Sequence, residues 1–502
     1  MTGQASGHRY QRQEQSSPNV GTPDMCIVSW LLPFGLAALV AIVAVSPGSA
    51  ETLSGALARA YGANPQLNAQ RAQVRVVDET VPQALSGYRP RAQLQADGGA
   101  QFQRERSRER RSAISGVDGE EELTAQIKRT QRQSTLPRGA ELSFEQNLFD
   151  GGRTRNSVSQ AEVQVLAARE TLRNSEQNVL LDAATAYMDV LRDQAVLDLQ
   201  RTNVKLLEET LYRARERYAA GEVTRTDIAQ AEARLASGRA QVNLAAANLN
   251  TSRARYRQLI GSEPRSLTPG TPVADKLLPR SAADGMRTAL SQHPAIAAAL
   301  HGVNAAELEV RVVKSALYPA VGLVASISQR YDSEARGDRM RAGSSTLQVT
   351  VPIYEGGEIY SRTRQAKESA SQRRAEAEVV RDEVRAALST SWSVLETAKA
   401  QIESAQTQIR TSEIVLTGVR EEARVGRRTT LDVLNAQQDL LNARVNLATA
   451  QRDRVVASYA LLLATGRLSA RRLGLAVQVY EPTQHSDQVK NLWGGLDTPT
   501  GR

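Results

Sequence analysis

The sequence predicts a mainly α-helical, internally duplicated protein with a smaller β-sheet portion. Landmark residues recur at fixed distances: Gly221 and Gly426 are 205 positions apart, and Pro90 and Pro319 are 229 apart. Long proline-free stretches have apolar residues at helical spacing, whereas the stretches after Pro90 and Pro319 alternate apolar and polar residues. Two copies are too few for a self-sufficient solenoid, so the pseudo-symmetry indicates a ring or a tube.

The N-terminal segment indicates export. An apolar run, Ile27–Val45, is followed by small residues at Gly48 and Ala50. This order is typical of a secretory signal peptide cleaved after Ala50, and we assign it to residues 1–50. The run is long for a signal peptide, so an uncleaved membrane anchor is the alternative.

The composition argues against several functions. Aromatic residues make up only 4% of the chain, which suits long helices packed by small side chains. The one cysteine, Cys26, lies in the predicted signal peptide, so the mature chain has no thiol for a disulfide or a metal. The net charge of +9 is spread over mixed-sign helices, without the aromatic-interleaved basic patch of nucleic-acid binding. The four histidines have no partner at catalytic or metal-ligand spacing, and His293 is interpreted as a helix-surface residue. We therefore expect neither an enzyme nor a cofactor.

Each copy begins with a predicted helix. The first is expected from Leu53 to Gly87 and its counterpart from Ala282 to Leu317, each ending just before a proline. Asn64-Pro65 and His293-Pro294 occupy matching positions and indicate a helix start, because proline is favoured in the first helical turn.

The alternating stretches predict four β-strands with one apolar and one polar face. Their length of about ten residues matches transmembrane strands around a watery lumen. A half-buried hairpin on a soluble sheet is the alternative interpretation. The apolar positions include Leu94 and Phe102, Leu142 and Phe144, Leu323 and Ile327, and Leu347, Val351 and Ile353.

The two predicted hairpins differ at their tips. The first tip, Arg104 to Arg138, is long and arginine-rich, whereas the second, Asp332 to Gly343, is short. Long polar loops are expected on the outer face of a membrane barrel. These arginines are either solvated or bind lipid phosphates, and solvation is favoured. Four aromatic residues fall where strands meet helices, as in an aromatic belt: Tyr88, Phe149, Tyr318 and Tyr354.

Four strands cannot close a barrel alone. An open sheet in hydrocarbon would leave two unpaired edges, at several kcal/mol per unsatisfied group. Two chains would give an eight-stranded barrel filled by side chains, and three would give twelve strands with room for a channel. For a conduit, a homotrimer is therefore the smallest workable assembly.

Two very long helices follow Gly151-Gly152 and Gly356-Gly357. No proline interrupts Arg153 to Tyr218, a stretch that corresponds to roughly 100 Å of helix. Helices then return toward Ile260 and Ala464 with apolar residues every seven positions. The fold class predicted is thus a long α-helical coiled-coil barrel continuous with a transmembrane β-barrel. Its packed positions include the stripe Leu180, Ala184, Tyr187, Leu191 and Ala195 and the heptad series Ile228, Leu235, Val242 and Leu249.

The turns between the long helices are the candidate functional residues. Gly221 and Gly426 are expected just past a helix end, with Asp227 and Asp432 opening the next helix. One interpretation limits these carboxylates to capping the helix. The other places three copies of each around an axis, as a cation-selective, pH-sensitive constriction.

Taken together, the two copies resemble the TolC family of outer-membrane efflux proteins, and more narrowly its type I secretion branch. The resemblance rests on the proline-flanked strands, Leu148-Phe-Asp-Gly-Gly152, Gly221-x-x-x-Arg-Thr-Asp227 and Gly426-Arg-Arg-Thr-Thr-Leu-Asp432. It implies a trimeric outer-membrane channel, embedded in lipid and continued by a helical tunnel through the periplasm. A periplasmic adaptor and an inner-membrane ABC or proton-driven transporter would dock on the tunnel, which would export proteins or small toxic compounds.

The recurring landmarks divide the chain into two structural repeats, residues 51–265 and 266–466. The tail, residues 467–502, is rich in proline, aspartate and glycine from Pro482 and is expected to be partly disordered. The resemblance adds a set of site residues. Ala423 and Asn435 depart from family positions that can hold a gate tyrosine and a second pore carboxylate. The implied periplasmic gate is Thr226, Asp227, Arg428 and Asp432, and the implied adaptor-docking tips are Gly221, Glu222, Val223, Gly426 and Arg427.

A periplasmic coiled-coil structural protein, anchored in the inner membrane by Ile27–Val45, is the alternative from a different class. It would leave the alternating strands without a purpose, so the channel interpretation is preferred.

Overall fold

The structure is a computed structural model that describes residues 50–112 and 124–499. The predicted signal peptide, apart from Ala50, lies outside the described residues, as do the centre of the first hairpin tip and residues 500–502. The helices are α1 (Leu53–Ala63), α2 (Pro65–Asp78), α3 (Thr80–Leu85), α4 (Arg153–Ala219), α5 (Arg225–Ile260), α6 (Ala282–Gln292), α7 (Pro294–Lys314), α8 (Glu358–Arg424), α9 (Thr430–Ala464) and α10 (Thr483–Val489). The strands are β1 (Arg91–Gly98), β2 (Gln101–Ser112), β3 (Thr124–Thr135), β4 (Arg138–Asp150), β5 (Ala320–Tyr331) and β6 (Arg339–Thr350).

The opening helix of each copy is broken at the predicted proline. The Asn64 side chain accepts hydrogen bonds from the amides of Gln66 (2.9 Å) and Leu67 (3.2 Å), so α2 begins at Pro65. His293 Nδ1 accepts from the amide of Ala295 at 3.2 Å and starts α7 in the same way. A continuous helix from Leu53 to Gly87 is therefore wrong, because a capped new helix begins inside it. His293 is also buried at this cap rather than on the helix surface.

The two halves build one antiparallel sheet in the order β1-β4-β5-β6. Its register pairs Leu142 with Ile327 and Leu323 with Leu347, which gathers the apolar residues on one face. This face is open: Leu94 is 71% exposed and Ile327 is 69% exposed. The strands β1 and β6 form the two edges, each paired on one side within the chain.

Three strand predictions need correction. The stretch from Arg104 to Arg138 is not a loop in its described part, because β2 and β3 pair along their whole length as a separate two-stranded ribbon. In the second hairpin β6 already begins at Arg339, so the tip is only residues 332–338, tied by the Asp338 carboxylate to the amides of Ser333 and Glu334 (2.9 Å each). The same strand ends at Thr350, because Pro352 has no amide to donate, and Val351 and Ile353 lie beyond it.

The long helices agree closely with the sequence. Both α4 and α8 have 67 residues, and α5 and α9 return beside them to Ile260 and Ala464. Leu180, Ala184 and Tyr187 are fully buried, but Ala195 is exposed because the inward stripe passes to Leu197. Among the heptad residues, Leu235 and Leu249 are buried, while Ile228 and Val242 are partly buried against the same clusters.

The C-terminal tail is packed from residue 467 to the end of α10, whereas residues 491–498 are exposed. Leu468 and Ala470 are fully buried in the core with Tyr187, and α10 covers α2. The imidazole Nδ1 of His485 lies 3.2 Å from a carboxylate oxygen of Asp78. Residues 467–489 therefore help to complete the core formed by α1, α2 and α4, while the partial disorder expected for the tail stays a prediction.

Within residues 50–112 and 124–499, no helix combines the length and apolarity that crossing a bilayer would require.

Candidate functional site at the two helical turns

The first turn closes α4 with a Schellman arrangement. Gly221 has a φ of +77°, and its amide donates to the carbonyl oxygen of Tyr218 at 2.9 Å. The amide of Glu222 donates to the carbonyl oxygen of Arg217, also at 2.9 Å. Glycine meets this requirement because a side chain opposes the left-handed conformation. The predicted position of Gly221 just past the helix end is confirmed.

The second turn repeats the first. Gly426 also has a φ of +77°, and its amide donates to the carbonyl oxygen of Ala423 at 3.2 Å. The amide of Arg427 donates to the carbonyl oxygen of Glu422 at 2.9 Å. Ala423 is buried, so the position that departs from the family tyrosine packs into the helical hairpin.

Both turns lead into a capping box. Thr224 caps α5, and its amide and hydroxyl donate to Asp227 Oδ2 at 2.9 and 2.7 Å. Thr429 caps α9, and its amide and hydroxyl donate to Asp432 Oδ2 at 3.0 and 2.9 Å. The helix-start role of both aspartates is thus confirmed, with Thr224 and Thr429 as the capping residues that the sequence analysis did not single out.

The electrostatics of the second turn follow from these bonds. The amide and hydroxyl of Thr429, with a smaller effect of Arg428, hold the pKa of Asp432 below its usual value. Arg428 donates from Nε to Glu422 at 2.9 Å, and this pairing raises the pKa of the guanidinium. In both aspartates the described hydrogen bonds go to Oδ2, so Oδ1 has no hydrogen-bond donor among the described residues.

The structure brings together only part of the predicted gate. Thr226 and Asp227 are adjacent in the first turn, and Arg428 and Asp432 lie in the second. Within the described chain Arg428 pairs with Glu422 rather than with Asp227. Of the predicted docking tips, Glu222 is engaged by Arg217 at 3.0 Å, whereas Gly221, Gly426 and Arg427 are exposed.

The turns are fixed to a common base that sequence reasoning missed. Arg234 donates to the Asn435 side-chain oxygen at 2.9 Å and links α5 to α9. Beneath it, the buried Leu434 of α9 packs in one cluster with Leu207 of α4 and Leu235 of α5. Asn435 therefore provides a neutral acceptor for a neighbouring arginine where a second carboxylate was considered. No periodic signal connects positions 201 residues apart in this way.

The described part of the chain has no metal-binding geometry at this site. Among residues 50–112 and 124–499, no group of three or more histidine, cysteine, aspartate or glutamate side chains is placed to hold a metal ion. The two turns instead present exposed carboxylate oxygens and arginines at one end of paired long helices, which suits contact with another protein or control of ion passage.

A sheet with one open apolar face, continued by helices of roughly 100 Å, defines the class of outer-membrane channel proteins with a periplasmic helical portion. Comparison with known proteins supports the same class. The profile of the family described as "Outer membrane efflux protein" matches residues 56–262 and 286–467. The chain belongs to this family and is located in the outer membrane, with its helical part in the periplasm.

Relatives extend along most of the chain. The outer membrane efflux protein BepC of Brucella suis is 42% identical over 90% of this chain and 93% of its own length. The alkaline protease secretion protein AprF of Pseudomonas aeruginosa is 27% identical over 66% of this chain and 70% of its own length. The CmeC outer membrane channel of Campylobacter jejuni superposes with a TM-score of 0.69 at 18% identity, covering 88% of this chain and 89% of CmeC, and so shows the shared fold.

Proposed function

We propose that this chain forms a homotrimeric channel, the passive outer-membrane conduit of a tripartite efflux or type I secretion system. The open sheet carries this proposal. Its two edges, β1 and β6, have unpaired backbone groups, and its apolar face is exposed. In hydrocarbon both edges need partners, and sister subunits provide them without changing the fold. Three copies give the smallest barrel that leaves an aqueous lumen.

The long helices supply the periplasmic part of the conduit. Each chain contributes two helical hairpins, α4 with α5 and α8 with α9, and the four-helix set repeats around the proposed three-fold axis. Small buried residues such as Ala366, Ala370 and Ala377 along α8 allow close helix approach and a wall of large radius.

We infer that Thr226, Asp227, Arg428 and Asp432 form the periplasmic gate. Three copies of each carboxylate would set a ring of negative charge, and Arg428 can leave Glu422 for the Asp227 of a neighbouring subunit. The pairing with Glu422 is exposed and screened by solvent, so exchange of partners costs little.

The tips around Gly221, Glu222 and Val223 and around Gly426 and Arg427 are proposed as docking points for a periplasmic adaptor. The duplicated geometry supports this role, because it offers six similar turns per trimer. The inner-membrane partner would be an ABC or proton-driven transporter. The relatives' names mention efflux and protease secretion, so proteins and small toxic compounds are both candidate cargo.

The test is conductance of the full-length protein. Purified from outer membranes and inserted in planar lipid bilayers, it should appear as a heat-sensitive trimer that conducts cations better than anions. Asp432→Asn should reduce this cation preference, whereas Asp439→Asn, an exposed carboxylate outside the turn, should not. A monomeric, water-soluble protein without conductance would contradict the proposal.

A further inference from the structure

The ribbon of β2 and β3 carries charge of one sign on one face. Its register places Arg104 opposite Arg132, Arg106 opposite Thr130 and Arg108 opposite Lys128. Directly paired residues, and residues two apart along a strand, share a face of the ribbon. Among the residues whose side chains are described, one face therefore holds five cations, which we call the cationic face: Arg104, Arg106, Arg108, Lys128 and Arg132. All five are exposed.

The opposite face is electrically balanced. Of its residues with described side chains, Glu105 and Arg129 are charged, while Ser107, Gln131 and Gln133 are neutral. A ribbon that was only solvated would gain from mixing signs on each face, because like charges directly opposite each other are destabilising. The charges are instead sorted by face.

Within the described residues, no carboxylate compensates the charge of the cationic face. Two of its cross-strand pairs, Arg104 with Arg132 and Arg108 with Lys128, set cation against cation. None of the five residues forms an ion pair with any residue that the structure describes. An anion held between opposing guanidinium groups would relieve this repulsion, and guanidinium forks match phosphate oxygens in geometry.

The position of the ribbon identifies the anion. The ribbon continues from the sheet between Gly98 and Arg138, at the end opposite to Asp150, where the periplasmic helices begin. It therefore leaves the membrane on the outer side. At its base Phe102 is 71% exposed and Leu136 is 62% exposed, which suits contact with the apolar edge of a lipid layer. Arg104 and Arg108 are four residues apart, so the cationic face extends over about 13 Å above that base.

We propose that the cationic face binds the phosphate groups of the lipopolysaccharide in the outer leaflet. Arg104, Arg106 and Arg108 hold the phosphates, Lys128 and Arg132 complete the charge, and Phe102 and Leu136 rest against the acyl region. This interaction anchors the channel in its membrane and is separate from export.

The test compares faces on the intact trimer. Full-length protein is stripped of lipid and reconstituted in nanodiscs with and without diphosphoryl lipid A, and the lipid A bound per chain is measured by mass spectrometry. Arg104→Gln, Arg106→Gln and Arg108→Gln combined should lower bound lipid A at least tenfold. With lysine at the same three positions, the amount of bound lipid A should stay within about threefold of the wild type. Lysine keeps the positive charge and loses only the forked hydrogen bonds of the guanidinium group.

A matched pair of single variants controls for general electrostatics. Lys128→Gln and Arg129→Gln each remove one exposed cation from neighbouring positions on opposite faces. Only Lys128→Gln should weaken binding. Because each is a single exposed change, this pair also keeps the test decisive if the triple variant fails to fold.

Four results would overturn the inference: full lipid A retention by the glutamine triple, equal losses in the two single variants, equal binding of dephosphorylated lipid A, or displacement by millimolar inorganic phosphate, which would indicate a site for free phosphate. Conductance of the same variants in planar bilayers should be unchanged. The channel proposal can therefore stand if the lipid inference fails.

Discussion

Gly221 and Gly426 hold backbone conformations that other residues resist. At Gly426 there is room for a methyl group, so a substitution there changes backbone strain alone. We predict that Gly426→Ala lowers the free energy of unfolding of the helical part by about 1–2 kcal/mol, the cost of a left-handed alanine. Gly418→Ala is the control, because Gly418 lies inside α8 with open space around it. This variant should raise the free energy of unfolding by up to about 1 kcal/mol. Urea unfolding measures the free energy of unfolding of each variant. Equal changes in the two variants would contradict backbone strain at Gly426.

Asp432 makes the second turn sensitive to acid. Its folded pKa is depressed by the Thr429 bonds, so the contribution to stability is present above the unfolded pKa and is lost as pH falls through the folded value. We predict that amides at residues 425–432 exchange faster below about pH 4 in the wild type, relative to intrinsic rates. Asp432→Asn should be less protected at neutral pH and should change little on acidification. Hydrogen exchange read by mass spectrometry checks this, with Asp439→Asn expected to behave as the wild type.

Among the helices, α10 packs on α2 and includes a buried contact between the side chains of His485 and Asp78. Asp78 is 1% exposed and His485 is 4% exposed, and burial raises the pKa of Asp78 against the opposing effects of His485 and Arg169. We predict that His485→Ala destabilises the protein by about 1–3 kcal/mol, because it leaves a buried carboxylate short of a partner. Gln484→Ala, one exposed position earlier, should be neutral within about 0.5 kcal/mol. Thermal unfolding separates the two, and equal melting temperatures would show that α10 is not fixed by this pair.

The elements also show what sequence can and cannot predict. The bounds of α4 and α8 follow from local signals, since glycine pairs precede each helix and a left-handed glycine ends it. The ribbon was missed because Arg104, Arg106 and Arg108 have a composition typical of loops, and only pairing with β3 makes them a strand. The packing of α10 was not predicted for a similar reason. It includes the contact between His485 and Asp78, which are 407 positions apart, and local composition does not indicate such a contact.

The same limit applies to the candidate site. The glycines and capping aspartates were predictable, because the chemistry of a turn is contained in about ten residues. The link between Arg234 and Asn435 was not, since it depends on how α5 and α9 lie against each other. The partners of Thr226 and Arg428 in neighbouring subunits stay a prediction, because these contacts form between chains and one chain does not contain them.

The whole molecule can form a channel only if neighbouring subunits close the open sheet into a barrel. The chain has no cysteine after Cys26, so cysteines can be introduced without background. The control is Ser143→Cys with Ser326→Cys, which are directly paired on β4 and β5 and should cross-link within one chain. The test places one cysteine on β1, at successive positions from Gln93 to Ala96, and one on β6, from Ser344 to Leu347.

Oxidative cross-linking of these double-cysteine chains in intact outer membranes is the most direct measurement. We predict covalent dimers and trimers for at least one β1–β6 combination, with nothing larger than a trimer, while the β4–β5 control stays at monomer mass. Exclusively intrachain β1–β6 bonds, or no cross-linking in any register, would contradict the closure of three open sheets into one barrel.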